Sequence, residues 1–246
     1  MPEPAKIVLI TGAARRVGSE IARQVAGRGA KIALHYRHSG AEAESLARDL
    51  RELYGTEVLT LGGDLRDPAV PGHLVAQILE QFGGLDGIVH NASLYQSTPL
   101  SEITPRTWEN MEGIHVHAPF YLAQAAEMVL RSRKGAIVHI ADIYAERPLR
   151  NYLPYSVSKA ALIALTRALA KEMAPEVRVN SISPGVILWA ETDLPAEGDR
   201  QSILDRTALK RSGEPADIAS MVCTLLFDAP YLTGQNIVVD GGRMLY

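Results

Sequence analysis

Cys223 is the only cysteine among 246 residues. No internal disulfide can form, which fits a reducing compartment. Cys223 lies in the apolar run Met221 to Phe227 and reads as a small core residue. An excess of charge is also missing. The 25 basic and 28 acidic residues leave a formal net charge of -3, which gives no general attraction to nucleic acid or to anionic membrane. Any anion site must therefore be a local cluster. No uninterrupted apolar run approaches the ~20 residues of a membrane helix. The start, Met-Pro-Glu-Pro-Ala-Lys, lacks the basic stretch and apolar region of a signal segment, so the expected compartment is the cytoplasm. Linkers, charge blocks, low-complexity stretches and internal repeats are absent too. The expectation is one domain over residues 1–246.

What is present is apolar material, 47% of the chain, in a regular rhythm. Seven short runs read as strands: Lys6 to Thr11, Lys31 to Tyr36, Glu57 to Leu61, Gly87 to His90, Ala136 to Ile140, Val177 to Ile182 and Asn236 to Val239. Most are apolar throughout, as in strands buried on both faces of a parallel sheet. Helix-like stretches lie between them, among them Val17 to Arg28, Ala41 to Tyr54 and the Ala/Leu-rich Tyr155 to Met173. Alternation of this kind predicts an α/β fold: one doubly wound, Rossmann-like parallel sheet of about seven strands with helices on both faces. One stretch breaks the rhythm. Pro184 to Gly198 follows a strand's carboxyl end and mixes apolar residues with acids, which predicts a lid.

Strand one runs into Thr11-Gly12-Ala13-Ala14-Arg15-Arg16-Val17-Gly18. A Gly-rich turn between a first strand and a first helix lets backbone amides and a helix N-terminus approach a pyrophosphate. Gly12 and Gly18 supply the outer glycines, and Arg16 replaces the middle one. An acid at the end of strand two would bind a ribose 2′-hydroxyl. Here that end reads Tyr36-Arg37-His38-Ser39, and Arg37, His38 and Ser39, with Arg16, can donate to a 2′-phosphate. The predicted cofactor is therefore NADPH. Asp64 and Leu65, after strand three, are placed near the adenine, with Asp64 as acceptor for its amino group or as a helix cap. Asn91, Ala92 and Ser93 follow strand four at the carboxyl edge, where ligands bind in such sheets.

Tyr155 and Lys159 stand four apart in Tyr155-Ser156-Val157-Ser158-Lys159 and share a helix face. A phenol near pKa 10 is a poor acid or base at neutral pH. A neighbouring ammonium is expected to bring it toward the working range.

Together these features resemble the short-chain dehydrogenase/reductase family over essentially the whole chain. The resemblance rests on Thr11 to Gly18, Asp64, Asn91-Ala92, Tyr155 to Lys159, Asn180, Pro184-Gly185 and Asp240-Gly241-Gly242. It implies that Tyr155 protonates substrate, that Lys159 also holds the nicotinamide ribose, and that Pro184 and Gly185 approach the nicotinamide. It further implies a homotetramer paired through helices Tyr155 to Met173 and His117 to Leu130.

Three departures narrow the reading. The family's serine thirteen positions before the tyrosine is Asp142. The asparagine four positions before Pro119 is His115. The usual Asn-Asn-Ala-Gly reads His90-Asn91-Ala92-Ser93. A carboxylate cannot donate to a carbonyl oxygen unless protonated, so an ordinary carbonyl reductase is disfavoured. The same departures resemble the pteridine reductases of the family, and His115 resembles the bacterial dihydromonapterin reductases. That resemblance implies reduction of a dihydropterin, or of dihydrofolate, to the tetrahydro form. Tyr155 would be the proton donor, Asp142 its assistant, and Ser93, Tyr95 and Leu188 substrate contacts, with no metal. The bland reading of Asp142 is a loop acid paired with Arg147. The rival functions are a carbonyl or 3-oxoacyl thioester reductase, and a catalytically silent NADPH-binding sensor.

Overall fold

The computed structural model describes residues 4–188 and 197–246. In chain order the main elements are β1 (Ile7–Ile10), α1 (Arg16–Gly27), β2 (Lys31–Tyr36), α2 (Gly40–Tyr54), β3 (Val58–Gly62), α3 (Ala69–Phe82), β4 (Gly87–His90), α4 (Pro105–Glu112), α5 (Ala118–Ser132), β5 (Ala136–Ile140), α6 (Leu153–Met173), β6 (Arg178–Pro184), α7 (Glu197–Asp205), α8 (Pro215–Cys223) and β7 (Asn236–Val239). A π-helical turn, Gly113–His117, leads into α5.

β1 shows why the sheet is covered on both sides. All four of its residues are buried. Val8 and Ile10 join one core with Ile21 and Val25 of α1, Leu46 and Leu50 of α2 and Ile218 and Val222 of α8. Ile7 and Leu9 join the opposite core with Leu74 and Ile78 of α3, Leu122 and Ala126 of α5 and Leu169 and Met173 of α6. Successive side chains on a strand point to opposite faces, so an all-apolar strand needs helices above and below.

The strands form one sheet in the order β3-β2-β1-β4-β5-β6-β7, with every pairing parallel. The doubly wound prediction holds. Chain order reverses between β1 and β4, and a crevice opens there beyond the strands' carboxyl ends. Thr11, Asn91 and Ala92 sit at that switch point, where the Thr11 hydroxyl oxygen accepts from the amides of Asn91 and Ala92, both at 3.0 Å.

Several boundaries differ from the sequence reading. β3 and β6 each start one residue later than expected, and β6 runs on to Pro184. α6 begins at Leu153 with Pro154 in its first turn, where a missing amide hydrogen is no loss. This puts Tyr155 in the first turn of the helix rather than at its start. Helices α3, α4, α7 and α8 were not anticipated as elements, and α7 begins at Glu197, inside the stretch read as a lid. Of the expected lid, Pro184 to Leu188, Glu197 and Gly198 are described; the rest, including Trp189, lies outside the described residues. Among the described residues no helix is long and apolar enough to cross a membrane. Cys223 is buried in the first core, and burial pushes its thiol up to about 11.

Candidate active site

All nineteen residues proposed from sequence for cofactor, catalysis or substrate line one cleft of 1020 Å³ at the switch point. Its inner end is the Gly-rich turn. Gly12 has a φ of +61°, and a Cβ there would lie 3.0 Å from the Ala92 Cα. A Cβ on Gly18 would lie only 2.3 Å from the Gly12 carbonyl oxygen. Arg16 adopts a φ of 57°, the left-handed conformation that the replaced glycine would take freely and that disfavours an ordinary residue by roughly 1–2 kcal/mol. Its guanidinium reaches the Leu188 carbonyl at 3.4 Å.

The turn is braced by two side chains from neighbouring strands. The Asn91 amide nitrogen donates to the carbonyls of Thr11 and Gly12, both at 3.0 Å. Asn91 thus acts through the shape of the turn. His35 of β2, which sequence reasoning passed over, accepts from the Gly12 amide at Nδ1 over 3.3 Å. Its Nε2 therefore carries the proton, facing the Gly63 carbonyl at 3.1 Å. Burial lowers the His35 pKa to about 4, so the ring stays neutral and keeps this acceptor.

The outer end of the turn is basic, with an internal tie. Arg37 Nε lies 3.2 Å from the Asp64 carboxylate. Arg66, also missed, clamps the same carboxylate through Nε and Nη2 at 3.0 and 2.6 Å and reaches Asn110 of α4. The Arg66 hydrogen bonds hold the Asp64 carboxyl down to about 2. The triad carries one net positive charge, with His38 and Ser39 beside it. Ser39 precedes α2 without capping it through its side chain. Asp64 is thus engaged by two arginines, which the sequence reading did not foresee.

The chemistry sits at the other end of the cleft. Tyr155 donates its hydroxyl hydrogen to Asp142 at 2.6 Å. Asp142 also accepts from the Tyr144 amide at 2.8 Å, capping a 3-10 turn. Arg147 donates to the Arg243 carbonyl instead, so the loop salt bridge is not formed. Burial raises the Asp142 pKa above the usual carboxylate range.

One expectation is overturned here. Tyr155 is pushed well above the ordinary phenol range, first by burial and then by the Asp142 charge. Lys159 does not counter this at the hydroxyl. Its ammonium donates to the Ile140 carbonyl at 2.8 Å and lies 5.7 Å from the centre of the Tyr155 ring. Burial lowers the Lys159 pKa to about 8 against the opposing pull of Asp142. The resting tyrosine is a neutral phenol.

Aromatic rings wall the substrate end. Tyr95 stacks on Tyr152 at 4.6 Å and meets Tyr155 edge-on at 5.0 Å, yet it remains 40% exposed. Tyr152 was not anticipated, nor were Tyr144, Arg150 and Ile203, which also line the cleft. Pro184 and Gly185 border it at the end of β6. A Cβ on Gly185 would lie 2.7 Å from the Asp240 Cα, so the two backbones approach closely there. Asn180, by contrast, bonds the Leu232 carbonyl and the Gln235 amide and is structural.

A turn with glycines where side chains would collide, at the switch point of a parallel sheet, with a Tyr–Lys pair at the cleft's far end, defines a Rossmann-type oxidoreductase site. The comparisons agree. The family described as enoyl-(acyl carrier protein) reductase matches residues 12–243. The 3-oxoacyl-acyl-carrier-protein reductase FabG of Staphylococcus aureus is 30% identical over 243 residues, covering 98% of both chains. The dihydromonapterin reductase of Klebsiella pneumoniae subsp. pneumoniae is 35% identical over 245 residues, covering 97% of this chain and 96% of its own. Among solved structures, a blue fluorescent protein from a metagenomic library, in complex with NADPH, superposes with a TM-score of 0.89 at 34% identity, covering 97% of each chain. The chain belongs to the short-chain dehydrogenase/reductase family. It is an NAD(P)-dependent oxidoreductase of that family.

Proposed function

We propose that the protein reduces the ring of a pteridine, a dihydropterin or dihydrofolate, to its tetrahydro form with NADPH. The observation that carries this reading is the 2.6 Å bond between Tyr155 and Asp142. A carboxylate occupies the position from which a serine would donate to a ketone oxygen. A flat ring reduced at a carbon–nitrogen double bond needs no such donor, only a proton at nitrogen. The likeness to a dihydromonapterin reductase at 35% identity supports the same substrate class.

NADP(H) fits the residues present. The Gly12–Gly18 turn and the N-terminus of α1 suit the pyrophosphate. Arg37, His38, Ser39 and Arg16 suit the 2′-phosphate, and a related structure holds NADPH. When bound, this cofactor supplies the hydride. Tyr155 donates its hydroxyl proton to the ring nitrogen. Its raised pKa keeps that proton in place until hydride addition makes the nitrogen basic. Asp142, which accepts that hydrogen at rest and the Tyr144 amide hydrogen beside it, holds the hydroxyl in place for the transfer. Lys159 offers a charge 5.7 Å from the ring to steady the developing phenolate. Tyr95 supplies an aromatic wall for the substrate, and Leu188 an apolar edge.

The second reading, reduction of a 3-oxoacyl thioester, is favoured by the FabG relative at 30% identity. NADPH oxidation measured with a dihydropterin, dihydrofolate and a 3-oxoacyl thioester separates the two. Turnover of the thioester alone would overturn the pteridine reading. Turnover of none, with tight NADPH binding, would favour a sensor.

A further inference from the structure

Position 115 carries a histidine where the family pattern leads one to expect asparagine, and its ring is fully buried. It lies in the π-helical turn before α5 and meets the Tyr155 ring edge-on at 5.6 Å. Each ring nitrogen has a hydroxyl partner at 2.8 Å: Nε2 faces Ser93 and Nδ1 faces Ser158.

The neighbours of those partners decide where the protons are. The Leu94 backbone amide donates to Nε2 at 3.4 Å. An amide can only donate, so Nε2 is bare. At the other end, Ser158 donates its hydroxyl to the Tyr155 carbonyl at 2.8 Å. A carbonyl can only accept, so the one Ser158 hydrogen is spent there, and Ser158 must accept from Nδ1–H. Both ends require the same neutral tautomer. Burial, Lys159 and His90 all disfavour the imidazolium.

The consequence falls on Ser93. A bare Nε2 at 2.8 Å claims the Ser93 hydrogen; the alternative acceptor, the Leu94 carbonyl, lies at 3.5 Å. Ser93 lines the cleft, so its oxygen turns only lone pairs toward a ligand. We infer that His115 is a positioning residue that fixes Ser93 as an obligate hydrogen-bond acceptor, so that the site selects ligands presenting an N–H donor at that edge. The selection arm rests on the pteridine reading; the tautomer does not.

Two measurements on the full-length protein test this. The first uses ring-nitrogen resonances of protein labelled in its 7 histidines, with His115→Asn assigning the signal. The expected result is a protonated Nδ1 and a bare Nε2, unchanged from pH 5.5 to 8. Ser158→Ala, which removes the acceptor of Nδ1–H, should shift that resonance if His115→Asn fails to fold. An Nε2-protonated ring, or titration within that range, would overturn the inference.

The second compares 6,7-dimethylpterin with 1,3,6,7-tetramethyllumazine, whose pyrimidine edge carries only carbonyl oxygens and N-methyl groups where the pterin has its 2-amino and ring N–H donors, on the protein with NADP+ bound. The pterin should bind about tenfold tighter, the scale of one satisfied against one frustrated buried hydrogen bond. In His115→Asn the preference should shrink to about threefold or less, because an amide can turn either end to Ser93. Equal binding by the wild type would sink the selectivity claim. Failure of both rings to bind would count against the pteridine reading, and the ring resonances would then decide the tautomer alone.

Discussion

Tyr155 and Asp142 share a hydrogen bond of 2.6 Å in which the phenol donates and the carboxylate accepts. The proton that would leave for substrate is thus held at rest by an acid in the family's serine position. Tyr155→Phe deletes that proton but leaves the Gly-rich turn untouched. Turnover is expected to fall at least ~10²-fold, the effect of losing a general acid, with NADPH affinity little changed. Stopped-flow reduction and fluorescence titration of NADPH measure the two separately. Near-normal turnover would remove Tyr155 from its role.

The same pair sets a pH prediction. Burial lowers Lys159 to about 8, and the Asp142 charge opposes that drop. The ammonium is the form that steadies a phenolate, so kcat/KM should decline as pH rises through about 8. Replacing the acid by a neutral amide, Asp142→Asn, removes the opposing pull. The alkaline limb should then move to lower pH. A limb that stays put or moves upward in that variant would show that the two groups are not coupled.

The fold was legible because its signal was strong: strands such as Ile7–Ile10 are apolar throughout, and only a doubly covered sheet accommodates them. The nucleotide-side residues followed from the Gly-rich turn and the strand ends, Tyr155 and Lys159 from their spacing on a helix, and Asp142, Tyr95 and Leu188 from the resemblance. What stayed hidden was pairing across the sheet. Nothing local marks His35 as the acceptor for Gly12, because that contact joins β2 to the turn after β1; Arg66, two residues from Asp64, is a local partner that the reading of Asp64 as an adenine acceptor or helix cap passed over. The π-turn at Gly113–His117 also lacks a sequence signature, and so did the burial of His115. The short helices α4 and α8, 8 and 9 residues long, give too few turns for a clear period, and α3 opens on Ala69-Val70-Pro71-Gly72, which reads as a turn. The Tyr155 expectation failed for a physical reason: an ammonium four residues along lies on the same helix face, yet its nitrogen is spent on the Ile140 carbonyl.

Cofactor preference is the next test. Arg37 is tied to Asp64 at 3.2 Å, but Arg66 holds that carboxylate more closely, so Arg37 can turn to a 2′-phosphate without stranding the acid. Removing it, Arg37→Ala, should weaken NADPH binding by ~1.5–3 kcal/mol, the range for a hydrogen bond to a charged group. NADH affinity should hardly change. Equal affinity of the wild type for both cofactors would refute this role for the basic segment.

We propose a homotetramer. Phe120 and Met128 on α5, and Leu153 and Val157 on α6, are exposed large apolar side chains, and solvent-facing helices rarely carry several. Light scattering at micromolar concentration should give about four times the 26.7 kDa chain mass. Charges on both helices, Met128→Glu with Val157→Glu, should break the assembly into smaller species while leaving the sheet folded by circular dichroism. A wild-type monomer would end this proposal.

Acid should unfold this protein earlier than its carboxylates alone would require. Four histidines are buried and neutral. Burial lowers His35 to about 4 and His139 to about 3, and takes His90 and His115 well below the usual value. In the unfolded chain each titrates near 6.5. Below that pH the unfolded state binds protons that the folded state refuses. Stability is therefore complete above about 6.5 and is lost as pH falls toward the folded values. Each ring contributes a slope of up to ~1.4 kcal/mol per pH unit within that window. His139 shows the cost most plainly: its Nδ1 bonds Thr166 at 2.9 Å, while Nε2 has no partner among the described residues. Denaturant melts taken from pH 7.5 to 4.5 should show a steep fall beginning near 6.5. Replacing His139 by an apolar residue of similar size, His139→Leu, should flatten the fall by about one proton's worth. Stability that holds level down to pH 5 would mean that these rings take up protons while folded, which would also remove the neutral His35 that braces the Gly12 amide.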